Sequence, residues 1–154
     1  MNNYNQPRPN QGGFRGGPPP QQADSGPVIR LVAEKGFADG ESLEKVGDFG
    51  VEIGGSQKAT ITQMRKVYNQ LRTLKRQSDA TQTQAARETL IQYRARVLKA
   101  QIAYGEKREL YPSGFRRFFD ACMDRLMKKP EEMDELVTFF EVFYAYAYSI
   151  AGNK

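Results

Sequence analysis

A chain of 154 residues has length for one domain of about 120 residues plus a tail, and such a domain closes its core without metal or disulfide. It has no histidine and a single cysteine, Cys122, which excludes the commonest general base, His and Cys zinc sites and any intrachain disulfide. The net charge of +5 is unevenly spread: residues 59–111 hold eleven basic and four acidic residues (+7), against +1 for 1–27, −2 for 28–58 and −1 for 112–154. One basic middle segment points to a localised anion-binding face.

Residues 1–27 are rich in Gly, Pro, Asn and Gln and too poor in apolar side chains to offset chain entropy, so a disordered tail is expected there, followed by a domain over 28–154. GGFRGG (12–17) resembles the Arg-Gly segments of RNA-binding tails, but one Arg-Gly pair is little, and a plain flexible tail is the simpler reading. The start MNNYNQPRPN lacks the apolar run of a secretory signal. With one cysteine, this composition fits a reducing cytoplasm.

VIRLVAEKG (28–36) reads as a short helix stopped by Gly36. The next stretch, 38–56, is ambiguous. Ser42 is placed to cap a helix with Leu43, Val46 and Phe49 on one side, but Gly47 and Gly50 weaken it.

TITQMRKVYNQLRTLKRQ (60–77) opens on a capping-box spacing, Thr60 with Gln63, and predicts a long helix. Ile61, Met64, Val67, Tyr68, Leu71 and Leu74 fall within an arc of about 140°. Arg65, Arg72 and Arg76 cluster within about 40° at one edge of that arc. The segment carries five positive charges and no negative one, so either carboxylates from elsewhere or a phosphate-rich partner must compensate.

A second long helix is expected at about 82–107, with Leu90, Ile91, Tyr93, Val97, Leu98, Ile102 and Tyr104 as its apolar face. Arg94 and Gln101 project from that face, while Arg96 and Lys99 lie on the wet side. A turn at 111–114 then leads, with Ser113 as N-cap, into a helix bearing Phe115, Phe118, Phe119, Cys122, Met123 and Leu126. Pro130 opens a last helix, 130–151, apolar nearly all round except for a strip at Asp134, Thr138, Glu141, Ala145 and Ser149. Such a helix belongs at the centre of a bundle; its most apolar stretch, 136–152, is only about 17 residues long and carries Glu141, so it is a poor membrane span. Tyr144, Tyr146 and Tyr148 therefore read as core or subunit interface before base-stacking groups. No segment has strand periodicity. The expected class is all-α, a compact helical bundle of about five helices behind a disordered N-terminal tail.

Three segments in order, TITQMRKVYN (60–69), LKAQIAYGEKREL (98–110) and FFEVFYAYAYSI (139–150), resemble the small subunit of type III-A CRISPR effector complexes. The likeness spans about residues 28–152. Gln101 stands where that family is expected to have lysine and Tyr148 where histidine is common, and the tail lies outside the likeness.

The resemblance implies a cytoplasmic helical protein without catalysis, cofactor or metal. It implies stacking with neighbouring copies of itself, beside the backbone subunit and the large subunit, where guide RNA pairs with target RNA. Cutting of target RNA would belong to the backbone subunit, and DNA cutting and cyclic oligoadenylate synthesis to the large subunit. A homodimer is left open for the isolated chain, and no membrane partner is expected. The small subunit of type III-B complexes fits the quoted segments less well.

The residues themselves point the same way. Where guide pairing supplies specificity, an accessory subunit needs only to grip a sugar-phosphate backbone. The candidates are Arg65, Lys66, Arg72, Arg76, Lys99, Lys107 and Arg108, with Arg65, Lys66 and Arg108 also supported by the matching segments. Lys66, Lys75 and Lys99 read equally well as ordinary solvated lysines, and Arg108 as the cap of its helix end. The rival reading is a helical protein-interaction module whose basic face docks acidic neighbours.

Overall fold

The computed structural model describes residues 24–56 and 60–151; the backbone of Thr60 is included but its side chain is not. Most of the expected tail and the side-chain half of the Thr60–Gln63 capping box thus lie outside the described residues. Six α-helices run in chain order: α1 Gly26–Lys35, α2 Gly40–Ser56, α3 Thr60–Asp79, α4 Gln84–Lys107, α5 Phe115–Lys128 and α6 Met133–Ala151. Among the described residues there is no strand, so the all-α bundle expected from the periodicity is the fold.

The local signals act as chemistry requires. Pro27 sits in the first turn of α1, and Gly36 ends that helix at φ 83°, its N–H bonding the carbonyl of Val32. Thr83 caps α4 by accepting from the N–H of Ala86 at 3.2 Å. Arg87 on α4 donates to the carbonyls of Ser78 and Thr81, both at 2.9 Å, and so closes the end of α3 and the turn after it.

Three local expectations are corrected. Ser42 does not cap α2 but lies within its first turn, fully buried, with no hydrogen-bond partner for its Oγ. Asp39 takes the capping role, accepting from the N–H of Glu41 at 3.0 Å. The residue before α5 is Gly114 at φ 90°, not Ser113. Pro130 starts a single turn of 3₁₀ helix, Pro130–Glu132, before α6 begins at Met133.

The main departure is α2, which is a full helix despite its glycines. Its principal partner is α6. Gly47, Gly50 and Gly54 face α6 directly: a Cβ on Gly50 would stand 2.5 Å from the carbonyl oxygen of Phe143, and one on Gly54 would collide with the backbone of Ala147. These glycines cost helix propensity and return it as close backbone approach.

α6 is the central rod, as its all-round apolarity implied, packing on α2 and α3. α4 lies against α5, and α1 bridges α2 and α5. Eight of the nine phenylalanines, from Phe37 to Phe143, are buried in one cluster. Phe118 is its hub, with ring centres 5.0 Å from Phe49 and 5.1 Å from Phe143. Full burial of each ring is worth about 1.5–3 kcal/mol, so this cluster dominates the core energetics. α3 and α4, held at the edge of the core, present their outer faces to solvent.

Candidate nucleic-acid interface

Of the five cations between residues 60 and 77, only Lys75 meets carboxylates, at 2.8 Å from Asp79 and 3.4 Å from Asp134 of α6. Arg65, Lys66, Arg72 and Arg76 are exposed, and none forms an ion pair among the described residues. Four of the five charges in this segment therefore have no ion-pair partner among the described residues.

Tyrosines contact two of these groups, Arg65 and Arg72. Arg65 donates from Nε to the Tyr144 hydroxyl at 2.9 Å. This bond favours the charged form and raises the guanidinium pKa further above its ordinary value. The Arg72 guanidinium carbon stands 5.7 Å from the centre of the Tyr68 ring, which stacks on Tyr144 at 5.6 Å. Arg76 donates from Nη2 to Thr73 Oγ1 at 3.2 Å. Burial and the nearby Glu141 carboxylate push the Tyr68 phenol above its ordinary pKa, so it stays neutral. Tyr68, Arg72, Lys75, Arg76, Val137 and Glu141 line an open groove of about 410 Å³ between α3 and α6.

α4 lies beside α3. Gln70 donates to Gln101 Oε1 at 3.2 Å, joining the two helices along their outer seam. Beyond Gln101, Lys107 and Arg108 are exposed at the end of α4. The backbone N–H of Arg108 caps the helix by bonding the carbonyls of Tyr104 and Gly105, while its guanidinium lies 5.6 Å from the Tyr104 ring centre. The cap reading of Arg108 thus holds for its backbone, and its exposed side chain lies beside the Tyr104 ring.

Lys99 is set apart from this surface. It was expected on the wet face with Arg96, but it is half-buried and pairs with Asp124 of α5 at 2.6 Å. Two tyrosines go the other way. Tyr93 and Tyr104, expected in the apolar face of α4, are 63% and 66% exposed. The buried face of α4 is carried instead by Ile91, Ala95, Leu98 and Ile102. Apolar residues on both sides of one helix gave the sequence no means of choosing between them. Tyr146 and Tyr148 are about half exposed, and Tyr144 is partly covered.

Among the described residues no group of three His, Cys, Asp or Glu side chains is placed to hold a metal ion. The Cys122 thiol is fully buried, and desolvation pushes its pKa far up, so no thiolate is available as nucleophile. Among the described residues no helix is long and apolar enough to cross a membrane.

What the arrangement can do is hold an anion along an exposed helix. Comparison with known proteins gives this surface its context. No curated protein and no solved structure matches the chain. A family model described as Csm2 Type III-A matches residues 40–153, which takes in α2 to α6 and every candidate cation. The chain belongs to this family, the small subunit of type III-A CRISPR complexes.

Proposed function

We propose that the chain is a non-catalytic subunit that grips the backbone of target RNA paired to guide RNA, in defence against viruses and plasmids. Several copies stack beside the backbone and large subunits, each contributing the outer face of α3 and the C-terminal end of α4. Arg65, Lys66, Arg72 and Arg76 hold phosphates, with Lys107 and Arg108 extending the track. Lys99, paired with Asp124, contributes least.

The supporting observation is that four of the five cations between residues 60 and 77 carry no ion-pair partner among the described residues, with Arg65, Arg72 and Arg76 within about 40° on one side of a single helix. Fixed guanidinium groups suit phosphate, since each presents a planar fork of donors. Such contacts ignore base identity, as a subunit serving any guide requires.

The test is binding of single-stranded RNA across a salt series. With about four phosphate contacts, log affinity falls against log salt with a slope near −3. Affinity that does not change with salt overturns the reading. In assembled complexes, peptides from 60–76 and 99–108 should crosslink to RNA; crosslinks to protein alone would favour a protein-docking role for the same face.

A further inference from the structure

We propose that the outer face of α4 is a stacking platform for unpaired bases of single-stranded RNA, carried by Tyr93 and Tyr104. It rests on the reading that the chain binds RNA, and adds base contact to a grip so far made only through phosphates.

The two rings are the most exposed large hydrophobic side chains of the described chain. Eleven residues separate them, so they share one side of the helix, about 20° apart in azimuth and about 16 Å apart along the axis. Exposed Ala100 lies on the same line, leaving a shallow trough. That side is bounded by the contact lines of its neighbours: Gln101 reaches α3 through Gln70, and Lys99 and Glu106 reach α5 through Asp124 and Arg116. The tyrosines sit midway between these lines, so no helix of the bundle covers them.

The charge around the rings identifies the occupant. Arg96 and Lys107 flank them, Arg108 stands at the helix end beside Tyr104, and the helix's carboxylates, Glu88 and Glu106, lie on the far side. Arg108 already stands over the Tyr104 ring at 5.6 Å. Exposed aromatics among unopposed cations match a single strand, whose bases offer π-faces and whose backbone offers charge. A second copy docking symmetrically through this face would bring like charges together. Stacking is tolerant of sequence, so the platform does not compete with the guide's choice of target.

The experiment measures affinity of the full chain for a uridine dodecamer and for a dodecamer of equal charge whose bases are replaced by abasic sites. The wild type should bind the uridine strand about tenfold more tightly. The double variant Tyr93→Leu/Tyr104→Leu should abolish that difference with its salt slope and melting temperature unchanged, and Tyr93→Phe/Tyr104→Phe should retain it. Equal wild-type affinity for the two strands overturns the platform and leaves the phosphate grip standing; loss of salt sensitivity in both overturns the grip itself. If the leucine variant weakens self-association and not RNA binding, the face belongs to a second copy and the proposal fails.

Discussion

Arg65 of α3 and Tyr144 of α6 are joined by a 2.9 Å hydrogen bond from Nε to the phenol oxygen. The bond occupies the side-chain nitrogen nearest the stem and leaves the terminal nitrogens of the fork for a ligand. Tyr144 is thus a positioning residue for Arg65. Tyr144→Phe keeps the ring stack on Tyr68 and removes only the acceptor. Its expected effect is a two- to fivefold (order-of-magnitude) loss of RNA affinity with the salt slope retained, whereas Arg65→Ala lowers the slope by about one. A melting curve that drops sharply for either variant would assign the pair to the scaffold instead.

Gly50 and Gly55 give opposite predictions from one substitution. A Cβ at Gly50 meets the Phe143 carbonyl oxygen at 2.5 Å, so Gly50→Ala must push α2 off α6, at a cost of about 2–3 kcal/mol. At Gly55 nothing lies within 4 Å, and Gly55→Ala should stabilise by about 0.5–1 kcal/mol through helix propensity. Urea unfolding of both variants measures the contrast; a destabilised Gly55→Ala alongside a neutral Gly50→Ala would reverse the packing assignment.

Arg125 joins α5 to the start of α6. It donates from Nε and Nη2 to the two oxygens of Glu132, both at 2.8 Å, with each side chain about 15% exposed, and its Nη1 reaches the Ala33 carbonyl of α1 at 3.3 Å. Hydrogen bonding to Arg125 lowers the Glu132 pKa below the ordinary 4.5. Because the folded value is depressed, its stabilisation is present above the unfolded pKa and is lost as pH falls through the folded one. Glu132→Gln should cost about 2–4 kcal/mol at neutral pH, by leaving the largely covered Arg125 charge without its carboxylate. It should also flatten the part of the acid-melting curve below about pH 4.5 that belongs to this pair. An unchanged acid limb in the variant would show that other carboxylates govern it.

Much of this could be read in the sequence, because the signals concerned are local. Gly36 and the apolar series of α3 act within one or two turns, and their elements came out as the spacing predicts. What could not be read depends on which neighbour arrives. Gly47, Gly50 and Gly54 look like helix breakers until α6 is laid against them. α4 has apolar side chains on two sides, and only packing on α3 and α5 decides that Ile91 is covered and Tyr93 exposed. The candidate cations were found by charge density, which cannot separate Lys66, with no ion pair among the described residues, from Lys99, paired across to α5.

That last distinction is itself testable. Lys99 and Asp124 sit 2.6 Å apart with side chains 31% and 53% exposed, a geometry worth little to stability. Lys99→Ala should therefore leave melting nearly unchanged and weaken RNA binding by less than about twofold, while Arg72→Ala weakens it about fivefold or more. Removing the competitor reverses the sense: Asp124→Asn frees the Lys99 ammonium and deletes a negative charge, so affinity should rise, most at low salt where screening is weak. Filter binding at two ionic strengths reads all three variants. If Lys99→Ala proves as damaging as Arg72→Ala, the RNA path runs over the seam between α4 and α5, and the free cations of α3 are not its main track.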